Sequence, residues 1–200
     1  MLICLEMTHY PLTLREIIGR RIAMQTQGHV IILHLLRVLI KLRSAEVAVR
    51  GINPSTISFS NNLEHIMVAD ITTICSITSE PKHRYIRYPP YSARLMPEFA
   101  DIDSDSPIWD QWSVGVVILE ILVGTDLVLA ANSYPKMLNL YNDCLEFIED
   151  SYGLMLEKLL STDDMANIDE LIQTFEANQP DFTAINVRMM NAALGEDRGL

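Results

Sequence analysis

The histidines and cysteines are among the side chains of this sequence that could bind a metal or act as nucleophiles. The histidines lack the i, i+4 spacing that places two imidazoles on one helix face, and they are His9, His29, His34, His65 and His83. The three cysteines, Cys4, Cys75 and Cys144, are not spaced like metal ligands either. We therefore expect no metal site, and we interpret the cysteines as buried thiols of a protein from a reducing compartment.

Ser113 is a candidate nucleophile, but the residues around it do not have the pattern of a nucleophile elbow. A nucleophile elbow needs a glycine two residues before and two residues after the serine, and Gln111 occupies the first of these positions. We interpret Ser113 as part of the start of a helix.

Residues 82–88 form a short basic segment that also contains aromatic side chains. Lys82, Arg84 and Arg87 carry its positive charges, and Tyr85 lies between them. Such runs are most often solvated surface, which is the first interpretation. The second is a docking patch for an acidic protein partner, because complementary potentials steer association.

The 200-residue chain is acidic, with a formal net charge of −11, and the charge is divided unevenly. Residues 1–100 contain 11 Lys and Arg against 7 Asp and Glu, whereas residues 101–200 contain 4 against 19. Binding to a nucleic-acid backbone needs clustered cations, so we expect no nucleic-acid partner. The most apolar runs are interrupted by His34, Arg37 and Glu120, so we expect no membrane span and a cytoplasmic protein.

Apolar periodicity predicts helices at 13–21, with Thr13 as N-cap, and at 28–44, where nearly every face is apolar. A second apolar helix is predicted from Trp112 to Val123, with Asp110 or Ser113 as its cap.

Acidic helices are predicted beyond these, at about 134–150, 153–160 and 168–177. The methionines of this half are interpreted as flexible core filling, and they are Met155, Met165, Met189 and Met190.

Short β-rich segments separate the two apolar helices. Residues 2–7 predict a buried strand, and the runs 56–60 and 65–70 predict a hairpin. Asn61-Asn62 suits a turn with positive φ. Residues 71–100 contain four prolines and no sustained period, and an irregular segment of this length is usually functional.

Four motifs stand in the order found in the C-terminal lobe of protein kinases. Asp110-Gln-Trp-Ser-Val-Gly115 resembles the Asp-x-Trp-Ser-x-Gly start of the large helix, and Met96-Pro-Glu98 resembles the Ala-Pro-Glu motif that closes the activation segment. Asp70 matches the Asp of Asp-Phe-Gly, and residues 49–59 match the catalytic loop and its following strand. From about Leu2 to Ile172 the chain therefore resembles a kinase C-terminal lobe.

The resemblance implies a mainly α fold with a small β-hairpin at the catalytic-loop position. Residues 1–177 would be one kinase-like domain, made of the hinge and the C-terminal lobe without most of the N-terminal lobe. Residues 178–200 are predicted to be a frayed tail.

The same resemblance implies that the catalytic groups have been lost. The catalytic Asp aligns with Gly51, which has no side chain to accept a proton, and the metal-binding Asn aligns with Thr56. The glycine-rich loop and the strand Lys have no counterparts in the sequence. Asp70 is the one catalytic group that the resemblance retains, but we favour its interpretation as a turn residue at the end of the run 65–70.

Other motif remnants are structural. Val49 stands in place of the catalytic-loop His and is expected to rest on Asp110. Arg50 matches the loop Arg, for which we favour pairing with a local carboxylate or carbonyl. Glu98 matches a Glu that pairs with a late Arg in kinases, and residues 162–167 supply no such partner.

These observations predict a catalytically inactive kinase-like domain, a pseudokinase, that acts as a protein-binding scaffold or regulator. No cofactor is expected, although weak binding of ATP and Mg²⁺ stays open. The partner would be a kinase, a signalling protein or a cytoskeletal complex, or a second copy, bound at the exposed apolar top of the lobe. The alternative function is a divergent Ser/Thr kinase fragment that binds ATP and transfers phosphate.

Overall fold

The structure, a computed structural model, describes residues 10–68, 74–76, 90–92 and 107–178, and it describes residues 21–26 and Cys75 by their backbone alone. The predicted strand at 2–7 and nearly all of the predicted tail, residues 179–200, lie outside the described residues.

Within these ranges the fold is mainly helical, as the sequence predicts. The helices are α1 Leu14–Gly19, α2 Arg21–Ser44, α3 Ile108–Val123, α4 Thr125–Ala130, α5 Tyr134–Cys144, α6 Asp150–Leu159 and α7 Ile168–Asn178. The strands are β1 Leu12–Thr13, β2 Val47–Ala48, β3 Ile57–Phe59, β4 Ile66–Val68 and β5 Cys75–Ser76. In the described part of the chain, no helix combines the length and the hydrophobicity that crossing a bilayer requires.

The strands form two small antiparallel sheets, ordered β1-β3-β4 and β2-β5. β3 and β4 are the predicted hairpin, with Ile57 opposite Val68 and Phe59 opposite Ile66. β1 and β5 were not expected from the sequence, because strands of two residues are too short to have a detectable period.

The hairpin turn corrects one prediction. The positive φ, 58°, belongs to Leu63 and not to Asn61 or Asn62. Asn62 acts through its side chain instead, since its Oδ1 accepts hydrogen bonds from the Ser60 hydroxyl at 2.7 Å and the Glu64 N–H at 3.3 Å. The Leu63 side chain is buried, which offsets the strain of its backbone.

Several helix boundaries also differ from the predicted ones. α3 begins at Ile108, four residues before the predicted Trp112. α2 begins at Arg21 and not at Gly28, because one glycine inside a long helix costs only about 1 kcal/mol relative to alanine. The helix predicted over 134–150 ends at Cys144, and α6 begins at Asp150, so that Gly153 lies inside a helix instead of starting one.

Helix α3 is the centre of the core, with every residue from Ile108 to Leu122 buried. It packs against α2, α4 and α6. Met155 is buried as predicted, whereas Met165 is 46% exposed and is not core filling. Cys144 is a buried free thiol, as predicted, and its pKa is raised to about 12 mainly by burial.

Candidate functional site

The candidate site consists of the loop at residues 49–56 and the polar side chains of α3 that hold the surrounding segments. Four polar residues of α3 are buried, and they are Asp110, Gln111, Ser113 and Glu120. A buried polar group is stable only when it is hydrogen-bonded, so each of them must bind another part of the chain.

Asp110 holds the start of the loop. Its carboxylate accepts hydrogen bonds from the backbone N–H of Val49 at 2.7 Å and of Arg50 at 2.8 Å. It is therefore not a helix cap as predicted, since α3 begins after Pro107 without a side-chain cap. The expected contact between Val49 and Asp110 is confirmed.

Burial is the main cause that raises the pKa of Asp110, to about 6. The two backbone donors and the charge of Arg50 act in the opposite direction, because they stabilise the ionised carboxylate. Arg50 thus lies close enough to a local carboxylate to influence it electrostatically, in line with the interpretation that we favoured.

Arg50 has a strained backbone, with a φ of 64° in the left-handed region that non-glycine residues rarely adopt. Strain of this kind costs on the order of 1–3 kcal/mol and persists where the surroundings impose it. The two hydrogen bonds to Asp110 and the burial of the Arg50 side chain are the surroundings that do so here.

Beyond Arg50 the loop closes on itself. The Thr56 hydroxyl lies 3.0 Å from the carbonyl oxygens of both Gly51 and Asn53, and it accepts the Asn53 N–H at 3.1 Å. The Asn53 side chain donates to the Gly51 carbonyl at 2.9 Å and accepts the Ser55 N–H at 2.9 Å. The polar side chains of Asn53 and Thr56 are therefore used to hold the turn.

A second cluster surrounds Glu120, whose side chain is fully buried. Its carboxylate pairs with the Arg15 guanidinium and accepts hydrogen bonds from the hydroxyls of Tyr91 and Thr125. Arg15 also donates to the Tyr91 hydroxyl at 2.8 Å, and its backbone N–H donates to the Pro54 carbonyl at 2.9 Å. This cluster links α1, α3, α4 and the described segment 90–92.

Two neighbouring side chains of α3 hold the same short segment. The Trp112 indole N–H donates to the Pro90 carbonyl at 3.3 Å, and the Ser113 hydroxyl donates to the Tyr91 carbonyl at 2.7 Å. Ser113 also lies 2.8 Å from the Trp109 carbonyl within its own helix. Ser113 is therefore not the cap of α3, and its hydroxyl positions residues 90–91.

Gln111 connects α3 to the linker between α6 and α7. Its Oε1 accepts from Arg43 at 2.7 Å and from the Ala166 N–H at 2.8 Å. Its Nε2 donates to the carbonyls of Lys158 at 2.9 Å and Asp164 at 3.2 Å. Arg43 adds a bond of 2.6 Å to the Ala166 carbonyl, so that the linker is held at several points.

Of the predicted site residues, the structure brings Arg50, Gly51, Thr56 and Asp110 together in and around one loop. Asp70, Glu98 and the whole basic segment with Lys82, Arg84, Tyr85 and Arg87 lie outside the described residues. Within the described residues, no three side chains of His, Cys, Asp or Glu come together in a way that could hold a metal ion.

Sequence reasoning missed the roles of Gln111, Tyr91 and Arg15, and it recorded Glu120 as an interruption of an apolar run without assigning it a partner. The usable signal was that interruption itself, because a carboxylate inside a buried helix must have a partner. The identity of the partner was not readable, since Arg15 and Glu120 are far apart in the sequence.

Comparison with solved structures identifies the fold that these helices and strands form. The kinase PK-1 of the Cydia pomonella granulovirus superimposes with a TM-score of 0.57 and 17% sequence identity, over 84% of this chain and 66% of the viral kinase chain. The fold is protein-kinase-like.

In this kinase-like fold, the loop 49–56 and α3 are the segments that the sequence motifs assigned to the catalytic loop and the large helix. The chain spans slightly less than two thirds of the length of the viral kinase. No protein-family model matches the sequence, and no curated protein matches it either.

Proposed function

We propose that this chain is the C-terminal lobe of a kinase-like domain that does not transfer phosphate and that binds another protein. The observation that carries the proposal is the loop 49–56. It is held in place by Asp110, it has a glycine where the resemblance puts the proton acceptor, and its polar side chains hold the loop itself.

The residues of this loop do not fit a site for Mg²⁺ and ATP. Gly51 offers only backbone atoms, and the Thr56 oxygen, which would stand in for a metal-binding amide, is engaged with Gly51 and Asn53. Residues 51–56 contain no carboxylate. Phosphoryl transfer depends on positioned metal ions and charge neutralisation, which this loop is poorly equipped to supply.

A Tm titration with Mg²⁺ and ATP, together with an assay of phosphate transfer, tests the proposed lack of kinase activity. A ligand present at a hundred times its Kd stabilises a folded protein by about 2.7 kcal/mol, so binding of Mg²⁺ and ATP would raise the Tm. We expect no rise and no transfer of labelled γ-phosphate to a generic protein substrate, with an active kinase as the positive control.

The alternative function, a divergent Ser/Thr kinase fragment, predicts the opposite result. A Tm increase together with phosphate transfer that disappears in the Asp70→Ala variant would establish that alternative and contradict our proposal.

The partner-binding part of the proposal rests on the hairpin. Among the described residues β4 is an edge strand of its sheet, and its residues Ile66, Met67 and Val68 are only half-buried. An edge strand with apolar side chains is a surface that other chains can bind. The large helix α3 is not part of this surface, because it is buried from Ile108 to Leu122.

Light scattering of the purified protein tests this surface through self-association, which is one form of binding that we expect. The Met67→Lys variant should reduce the self-associated fraction, since a charged edge strand resists pairing. The Leu129→Lys variant, which changes a 48% exposed side chain on α4, is the matched control. A monomeric wild-type protein that binds no hydrophobic dye would contradict the proposed surface.

A further inference from the structure

A groove lies in the acidic half of the chain, between α6, α7 and the linker that joins them. Its volume is about 490 Å³, which is within the range of about 300–1,000 Å³ typical of binding sites. We call it the α6–α7 groove, and it is lined by Leu154, Glu157, Lys158, Ser161, the linker residues 164–167, Glu170, Leu171 and Thr174.

Apolar side chains mark both the floor and the rim of the groove. Ala166 and Leu171 are buried, whereas Leu154 is 45% exposed and Met165 is 46% exposed. Large apolar side chains that line a concave site and also meet solvent indicate a surface that gains free energy when another apolar group covers them.

The charge of the rim is predominantly negative. Glu157, Asp164 and Glu170 are all exposed and outnumber the single cation Lys158. Within the described residues none of these three carboxylates takes part in an ion pair, whereas Glu120 and Glu176 do. The rim therefore keeps an excess of negative charge over its nearest cations, which are Lys158 on the rim and Arg43 at the linker wall.

Hydrogen bonds within the chain hold the linker wall of the groove in position. Gln111 binds the carbonyls of Lys158 and Asp164 and the N–H of Ala166, and Arg43 binds the Ala166 carbonyl. A wall held in this way loses little conformational entropy when a ligand binds, which favours affinity.

From these observations we propose that the α6–α7 groove binds a basic segment of a partner protein that carries a large apolar side chain between its cations. The cations face the rim carboxylates, and the apolar side chain covers Leu154 and Met165. The proposal does not depend on whether the chain is catalytically active.

Fluorescence anisotropy with the full chain tests it, using a short fluorescein-labelled peptide in which two leucines are flanked by arginine pairs. We expect saturable binding. The double variant Glu157→Gln with Glu170→Gln should raise the Kd by roughly threefold to tenfold, since each exposed ion pair contributes a few tenths of a kcal/mol to about 1 kcal/mol.

The matched control is the double variant Asp126→Asn with Glu146→Gln, which removes the same charge at exposed positions outside the groove. Its Kd should stay within about twofold of the wild-type value. Leu154→Ala should weaken binding, and so should a peptide in which glycine replaces both leucines.

Four results of the binding experiment would overturn the proposal. These are the absence of saturable binding, an equal loss in both double variants, unchanged binding of the glycine peptide, and displacement of the peptide by an equal concentration of spermidine. The first removes the site, the second and third reduce it to general charge attraction, and the fourth assigns it to a small cation. Dimers in light scattering that only the Glu157→Gln, Glu170→Gln variant loses would place a second copy in the groove and also contradict the proposal.

Discussion

The buried carboxylate of Asp110 makes the stability of the protein depend on pH at the scale of a single residue. Its pKa in the folded state, about 6, lies above its ordinary value of 3.8. The folded protein therefore holds this proton more tightly than the unfolded chain does. The contribution of Asp110 to the free energy of unfolding is fully present below about pH 4 and is lost as the pH rises through about 6.

We expect the Asp110→Asn variant to lose this dependence, because asparagine does not ionise. Between pH 4 and pH 7, the free energy of unfolding of the wild type should fall relative to the variant by on the order of 3 kcal/mol. Urea unfolding at several pH values measures the difference. Asp126→Asn makes the same chemical change at an exposed position and is the control, and an equal pH dependence in both variants would contradict the prediction.

The ion pair between Arg15 and Glu120 should contribute more to stability than the one between Arg37 and Glu176. Glu120 is fully buried, so the Arg15→Met variant leaves a buried charge with neutral donors only. We expect a loss of about 2–4 kcal/mol in the free energy of unfolding.

The control for this prediction is Arg37→Met, which breaks a pair whose side chains are 51% and 46% exposed. Its loss should stay below about 1 kcal/mol, as is usual for surface ion pairs. Chemical denaturation of the two variants side by side gives the comparison, and similar losses would show that the burial of Glu120 is unimportant.

At the scale of elements, the contact between α3 and α6 depends on the absence of a side chain at Gly115. A Cβ at this position would lie 3.0 Å from both the Leu159 Cβ and the Leu160 Cδ2. We expect Gly115→Ala to lower the free energy of unfolding by about 1–3 kcal/mol, because overpacking outweighs the better helix propensity of alanine.

Gly19→Ala is the matched control for Gly115→Ala, since nothing lies within 4 Å of a Cβ at the end of α1. This variant should be neutral or more stable by up to about 1 kcal/mol. Thermal unfolding of both variants tests the pair, and a Gly115→Ala protein as stable as the wild type would mean that α6 can move away at no cost.

The elements that were predictable from the sequence are those with a strong period or a local signal. The large helix α3, the hairpin of β3 and β4, and the Thr13 cap of α1 belong to this group. The structure confirms the Thr13 cap and shows in addition that Glu16 completes a capping box. The contact of Asp110 with residue 49 was predictable only through the family resemblance.

The remaining features depend on contacts between distant parts of the chain, which leave no local pattern. The pairing of β2 with β5 joins Val47 to Ser76. Gln111 binds Arg43, far before it in the sequence, and Ala166, far after it. The positive φ of Leu63 belongs to this group as well, because burial of the side chain overrides the usual preference of asparagine for that conformation.

At the scale of the whole molecule, the concentration of negative charge in residues 101–200 should make stability sensitive to salt. Mutual repulsion among carboxylates opposes the compact state, and added salt screens it. We expect NaCl to raise the Tm by roughly 2–4 °C, equivalent to about 1 kcal/mol for a chain of this length.

The shape of the salt dependence separates screening from exclusion of salt from the protein surface. Screening acts mostly below about 0.2 M, because the Debye length shortens from about 30 Å at 0.01 M to about 10 Å at 0.1 M. Exclusion of salt, in contrast, continues to grow with concentration. Differential scanning calorimetry over a range of NaCl concentrations measures this, and a linear rise without saturation would contradict the prediction.

The amide of Gln111 limits how the sequence can change at this position over evolutionary time. Glutamate could accept hydrogen bonds from Arg43 and the Ala166 N–H but could not donate to the carbonyls of Lys158 and Asp164. Lysine could donate to these carbonyls but could not accept from the two donors, and asparagine is shorter by one methylene. A substitution here would have to be accompanied by changes at position 43 and in the linker. Joint variation of these positions among related sequences is therefore the signature by which this bridge between segments can be traced.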